Sequence, residues 1–353
     1  MDYFVIGYYA MLIGGSCLAA HYKQREVFLI LFSLTLASFV MGIIGGTGAL
    51  WAVTIAAGLL ALAGGTAYSF RELLIIISGP LTARELRTAP LTAAFGMFVI
   101  FTYAVLGIFA PIIAPYGEAE VVSQSFAPAD ENMLLGADQL GRDMFSRLVY
   151  GARNTVGLAL LATAIAFFLG ATLGMIAAVK QGWFDQLMGR LIDVVMSIPS
   201  LIFALLLLSI FGANMFILVI IIGIIYAPRV YRLTRAVAGN VVVMDYIEAA
   251  KLRGEGTWYL IRREILPNST APLIAEFGLE FCFVFLLVAG LSFLGLGIQP
   301  PTADWGSMVR ENATLISFGE ITPLIPAAAI ALLTVAVNMV VDWMLFRSSG
   351  LKE

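Results

Sequence analysis

Asp245-Tyr246-Ile247-Glu248-Ala249-Ala250-Lys251-Leu252-Arg253-Gly254-Glu255-Gly256, followed by Leu266-Pro267, is a polar, helix-forming insert in a chain that otherwise reads as hydrocarbon. Asp245 and Glu248 have the spacing of a capping box, in which an acidic cap accepts first-turn amides and a Glu reaches back. Ala249, Ala250, Lys251 and Leu252 are strong helix formers. Gly254 and Gly256 stop that helix, because glycine readily takes the left-handed capping conformation. Thr257 caps a second helix through Ile261 and Ile265 that ends before Pro267-Asn268. Two short helices joined at a glycine turn are therefore predicted. One reading lays this hairpin on anionic lipid through its basic residues. The other makes it a knob for a soluble partner, which would use both the small Ala249/Ala250 surface and the glycine stop.

The surroundings of the insert decide the fold class. Of the 353 residues 61% are hydrophobic and 12% charged, with a mean hydropathy of +0.96. A soluble chain carries about 25% charged residues, so lipid is the solvent for most of this one. Nine apolar runs, near 3–20, 27–46, 49–68, 94–114, 154–178, 191–211, 214–230, 270–294 and 322–346, have the length that crosses a bilayer. Backbone in hydrocarbon must satisfy its own hydrogen bonds, so the runs are helices. The expected class is all-α, a polytopic transmembrane bundle. A net charge of −3 and the lack of a basic run exclude nucleic-acid binding. Cys17 and Cys282 are too few for a disulfide framework or a metal centre. His21, beside Lys23 and Arg25, reads as an interfacial residue. No cleavable signal peptide is expected ahead of the first run.

Basic residues orient the chain. Arg229, Arg232, Arg235, Lys251, Arg253, Arg262 and Arg263 cluster around the insert and place it in the cytoplasm. Residues 115–150 hold Glu118, Glu120, Asp130, Glu131, Asp138 and Asp143 against Arg142 and Arg147, and belong outside. Nine spans threaded through these anchors put the N-terminus outside and the C-terminus in the cytoplasm. An amphipathic stretch over 71–90, with Arg71, Arg84 and Arg87, separates the first three Gly/Ala-rich runs from the rest. Residues 1–90 are thus expected to be an accessory membrane module and 91–353 the working unit.

The run from Glu248 to Pro267 resembles the EAA loop of ABC importer permeases: Glu-Ala-Ala, a Gly four residues after the second Ala, and a distal Leu-Pro. Further blocks in the same order resemble the C-type permease of the dipeptide, oligopeptide and nickel family. They are Met133 to Asp143 with Ser146-Arg147 and Tyr150 to Arg153, then Arg190 to Asp193 with Ile198-Pro199-Ser200, and Leu291 to Pro301 with Trp305-Gly306. The likeness covers residues 91 to about 335. It implies a six-span type I ABC importer permease core behind about three extra N-terminal spans. It also implies an external loop over 115–153 and a cytoplasmic coupling loop over 235–269, in a bacterial or archaeal plasma (inner) membrane. By this resemblance Glu248, Ala249, Ala250, Gly254, Leu266 and Pro267 couple to an ATPase. The implied partners are a second homologous permease, two ATP-binding subunits and an extracytoplasmic solute-binding protein. No cofactor or metal is expected on the chain, and ATP would sit on partners, since the sequence has no GxxxxGK[ST] loop.

The family pattern is not followed everywhere. Three N-terminal spans have no counterpart. Val288 stands where a Glu is common, and Val341-Asp342-Trp343 replaces a Gly-Asp-Gly ending. Glu276 and Glu280 instead lie one turn apart, either lining a pathway or pairing at headgroup level with Arg262 or Arg263. Asp193 is open between pathway and an anchor beside Arg190. Pro199 and Pro228 are expected to kink their spans and shape a cavity. Asp138, Arg142 and Asp143 are expected on a short external helix at the outer surface, to guide a binding protein or pack on the partner permease. Gly170, Gly174 and Gly223 offer close helix contact to that permease. An intramembrane enzyme would need converging polar groups that the chain lacks; a non-transporting receptor or scaffold with a permease fold is the alternative function.

Overall fold

The computed structural model describes residues 2–22, 24–45, 49–318 and 322–348, and among these most are helical and none lies in a strand. Residue contacts divide the chain into Met1–Ile100 and Phe101–Glu353. The first unit holds α1 (Asp2–His21), α2 (Arg25–Gly45), α3 (Ala49–Ile77) and α4 (Pro80–Arg87). Ala19, Ala20, Phe28 and Tyr68 form its described core, with the Phe28 and Tyr68 rings 4.6 Å apart. The run expected to end at 68 continues to Ile77, because Arg71 does not terminate it. Its guanidinium lies 5.2 Å from the Tyr68 ring centre and donates to the Ala89 carbonyl at 3.0 Å. With its charge accommodated, the apolar run from Leu73 to Ile77 simply extends the helix. The amphipathic stretch shrinks to α4, which Pro80 opens at a position where its missing N–H costs nothing.

The division falls within α5 (Leu91–Ile108). In the second unit the one-turn α6 (Ala110–Ile113) leads into a long non-helical segment, 114–143. Then α7 (Met144–Gly151), a π-turn at Ala152–Val156 and α8 (Gly157–Lys180) form an unbroken helical rod. Next come α9 (Gly182–Met196) and α10 (Ser200–Phe211), then α11 (Met215–Val242) and α12 (Asp245–Leu252). After α12, α13 (Thr257–Tyr259), a π-turn at Leu260–Ile265 and α14 (Leu266–Phe293) make a second rod. The last elements are α15 (Trp305–Asn312), a 3₁₀ stretch at Ala313–Phe318 and α16 (Leu324–Ser348).

Six stretches of the described residues are long and apolar enough to cross a membrane: Gly58–Ile77, Leu91–Ile108, Met144–Lys180, Met215–Val242, Thr257–Phe293 and Leu324–Arg347. The bent pair α9–α10 would add a seventh if its two helices are taken together as one broken span, and α1 and α2 are helices of 20 and 21 residues. The chain is an all-α, polytopic helical membrane protein.

The glycines expected at an intermolecular seam lie at an internal one instead. A Cβ on Gly170 would fall 2.4 Å from the Ala227 carbonyl oxygen, and one on Gly174 2.8 Å from that of Tyr231. A Cβ on Gly223 would meet the Ile165 side chain at 2.6 Å. The small residues are used up where α8 and α11 cross backbone to backbone, so they are not free for a second subunit.

Candidate functional site

The polar insert keeps its predicted helix but not its predicted start. Met244, not Asp245, is the N-cap of α12, and no side chain caps it. The Met244 carbonyl receives the Ile247 amide at 2.9 Å, which puts Asp245 and Glu248 inside the helix. The capping box is therefore absent. These acids still sit in the first turn, where they favour the positive end of the helix dipole. The glycine stop is present at Gly254 alone, and Gly256 opens the next helix instead of ending this one. Gly254 has φ +82°; its N–H donates to Lys251 and the Glu255 N–H to Ala250, the pairing of a Schellman turn.

The second arm corrects the hairpin more deeply. Gly256 is the N-cap of α13, and the helix does not end before Pro267. It runs from Thr257 to Phe293 as one 37-residue rod. Just ahead of Pro267 the Leu266 amide donates five residues back to the Ile261 carbonyl. That π-turn displaces the ordinary bonding frame at the point where proline has no N–H to give, so the rod passes through it. Leu266 and Pro267 thus join the insert to a membrane span rather than end a hairpin.

Burial sorts the insert into two faces. Ile247 and Ala250 are fully buried with Met175, Ala178, Ala238, Val242, Leu260 and Ile265, a core drawn from α8, α11, α12 and the π-turn. Ala250 therefore anchors the loop inward and is not part of a docking surface, contrary to the small-surface expectation. Glu248, Ala249, Lys251 and Arg253 point outward. So do Tyr246, Met244, Val243 and Leu252, the last 84% exposed. Sequence reasoning passed over these apolar residues; their signal was hydrophobic side chains out of phase with Ile247 and Ala250.

The two prolines behave differently. Pro199 lies in the break between α9 and α10, whose axes meet at 85°, and serves as the N-cap of α10. It ends one helix and starts another instead of kinking a single span, because the residue before proline avoids the helical region. Pro228 sits inside α11, which continues through it, and is buried.

Glu276 and Glu280 make no ion pair with Arg262 or Arg263 among the described residues. The cation set against this part of α14 is Arg229 of α11. Its guanidinium lies 4.6 Å from the Phe283 ring centre and 5.6 Å from that of Tyr226. Glu280 is 2% exposed, and its Oε2 has no hydrogen-bond partner among the described residues. Asp193 pairs with Arg232, not with its neighbour Arg190.

The segment between α6 and α7 is where expectation and structure differ most. Asp138 and Arg142 are not at the surface. Arg142 Nε donates to Asp138 Oδ2 at 2.7 Å, and its NH2 nitrogen donates to Glu311 Oε2 at 3.1 Å. Arg147 Nε lies 3.3 Å from Asp138 and its NH2 nitrogen 3.2 Å from Glu311. All four groups are at most 7% exposed. Two guanidiniums and two carboxylates balance, the condition under which buried charge is tolerated. Asp143 caps α7 by accepting from the Ser146 amide at 2.8 Å. Gly141, at φ +78°, lets the loop close: a Cβ there would lie 2.0 Å from the Ser123 carbonyl oxygen.

A second set of bonds lashes the start of α15 to α7 and to the π-turn that follows it. The Thr155 hydroxyl donates to Asp304 at 2.8 Å, the Trp305 amide donates to Thr155 at 3.1 Å, and the Trp305 indole donates to the Leu148 carbonyl at 2.9 Å. Burial pushes the Asp304 carboxyl above its ordinary range, against hydrogen bonds from Ser307 and Thr155 that pull it down. Glu118 Oε2 accepts from Asn154 and from the Ala303 amide, both at 2.8 Å. Glu311 gave no sequence signal, and Glu118 stood out only as one of several acids between residues 115 and 150, with nothing to mark its partners.

Residues 170–348 match the protein-family model described as binding-protein-dependent transport system inner membrane component. The dipeptide transport system permease protein of Alkalihalophilus pseudofirmus is 34% identical over 252 residues, covering 71% of this chain and 83% of that protein. The di/tripeptide transport system permease protein of Pseudomonas aeruginosa is 35% identical over 70% of this chain and 84% of its own length. The glutathione transport system permease protein of Pectobacterium atrosepticum is 31% identical, with 70% and 83% covered. The family model spans the whole of α9 to α16, including the insert and the bent pair, and on that match this multi-pass chain belongs to the binding-protein-dependent inner membrane components, as a transport permease of the inner membrane.

Proposed function

We propose that the chain is one of two permease subunits of an ATP-driven, binding-protein-dependent importer of peptides or related small solutes, coupled to its ATPases through α12. The observation that carries this reading is the two-faced insert. Ile247 and Ala250 fix it to the ends of α8 and α11, while Tyr246, Glu248, Lys251 and Leu252 stand free on the other side. An exposed apolar group rimmed by charge on a rigid helix is the form of a protein-docking knob. The 37-residue rod through Pro267 gives that knob a mechanical continuation into the membrane. ATP binding that closes the ATPases would thus move α14 as well as α12, a two-state rearrangement biased from the water side.

Basic residues around α12 favour a cytoplasmic insert, an N-terminus outside and a C-terminus inside. Residues 1–90 remain an accessory module in this reading. The break at Pro199 and the Arg229–Glu276–Glu280 group are its pathway or gating elements, with Pro228 fixing the shape of α11. The buried network of Asp138, Arg142 and Arg147 with Glu311 braces the external end on which a loaded binding protein would act. Peptide cargo is proposed from the relatives' names.

Co-purification from mild detergent tests the reading. Two ATPase subunits and a second permease are expected with the wild-type chain. Glu248→Arg, which inverts an exposed charge without touching the core, should lower ATPase recovery at least about tenfold, as a lost interfacial anchor does. Gly254→Asp, strained by roughly 1–2 kcal/mol in the left-handed region, should do the same by unseating the loop. Full ATPase recovery with both variants would refute coupling through α12.

A further inference from the structure

We propose that the cleft between α9 and α11 is a binding site for one anionic phospholipid, held by its phosphate. The cleft is a cavity of about 410 Å³ lined by Asp185, Arg190, Asp193, Tyr231, Arg232 and Arg235, among others. A second cavity of about 400 Å³ adjoins it through Asp185 and Arg235. Its charges do not cancel. Arg235 pairs with Asp185 and Arg232 with Asp193. Arg190 is left exposed on the same helix face, with no carboxylate at ion-pair distance among the described residues. Three guanidiniums against two carboxylates leave one positive charge, which a single phosphodiester neutralises.

The opposite face of α9 supplies the acyl-chain surface. Trp183, Leu187, Leu191 and Val194 recur at helical spacing and are 45–75% exposed, and no residue of α9 is buried. An amphipathic helix bare on its apolar side lies at the boundary between headgroups and tails. Trp183 fits that level as an interfacial aromatic. So does Lys180, 5.6 Å from the Phe184 ring centre, as a cation at a helix end. A basic cleft between spans beside such a helix has the form that takes a lipid headgroup. Nothing in this inference depends on the cargo or on the ATPases.

The test uses the full chain, purified in uncharged detergent and offered phosphatidylglycerol or phosphatidylcholine, with bound lipid counted by native mass spectrometry. One phosphatidylglycerol should be retained, at several-fold higher occupancy than phosphatidylcholine. Arg190→Gln should lower that occupancy about five- to tenfold, the effect of one guanidinium on an anionic headgroup. Arg190 is exposed and unpaired, so the variant should fold, and an unchanged thermal midpoint in phosphatidylcholine verifies it. Arg190→Lys should keep most of the preference. Equal retention of both lipids, or retention unchanged in Arg190→Gln, overturns the proposal. Displacement by inorganic phosphate alone also overturns it, by assigning the cleft to a free anion, and displacement by a di- or tripeptide would assign it to cargo.

Discussion

Gly170→Val is expected to cost about 3 kcal/mol of stability, at the upper end of what overpacking ordinarily costs. The new Cβ would lie 2.4 Å from the Ala227 carbonyl oxygen and 2.9 Å from the Tyr231 amide nitrogen. Both are backbone atoms, so no rotamer change relieves the overlap and the helices themselves must separate. Separation would also pull Met175 and Ala178 away from Ala238 and Ile247, loosening the seat of α12. Gly157→Ala on the same rod is the control, because nothing lies within 4 Å of its added Cβ. There the gain of about 1 kcal/mol in helix propensity should make the variant neutral or slightly more stable. Thermal unfolding in detergent measures both. Equal midpoints for the two variants would mean that α8 and α11 do not cross at this distance.

Asp138→Asn should be at least as damaging, at roughly 3–5 kcal/mol, the cost of breaking a buried ion pair from one side. Asp138 Oδ2 faces Arg142 and Arg147 at 2.7 and 3.3 Å. Its Oδ1 accepts the amides of Leu140 and Arg142 at 2.8 and 3.0 Å. Removal of the charge leaves two guanidiniums sharing Glu311 in a region closed to water. Asp138→Asn with Arg142→Gln should lose clearly less than the two single variants summed, since the stranded charge leaves with its partner. Additivity within about 0.5 kcal/mol, as for independent sites, would show that the pair is not coupled. A smaller deficit in Arg147→Lys than in Arg147→Met would separate the charge from the packing of this side chain.

The buried ion network around Asp138 also shows what a linear reading misses. Asp138, Arg142 and Asp143 stood out in the sequence, yet their charges suggested a wet surface. Glu311, 169 residues from Arg142, supplies the second carboxylate that balances Arg142 and Arg147 around Asp138, and no local pattern announces that partner. The glycines of α8 are a similar case. Their spacing signalled close helix contact, and it could not specify whether the neighbour was α11 or another subunit.

Hydropathy alone determined that this chain is a bundle of membrane helices, because backbone in hydrocarbon has so few ways to satisfy its hydrogen bonds. Glycine chemistry likewise determined that α12 stops at Gly254, since the left-handed turn is a property of that residue and its near neighbours. Only the tertiary structure decided that Ala250 faces inward while Leu252 stands out. The phase of a short helix is set by the core it meets, here Met175, Ala238 and Ile265. The same holds for the passage of the rod through Pro267, where a π-turn and the surrounding helices accommodate a residue that in isolation reads as a stop.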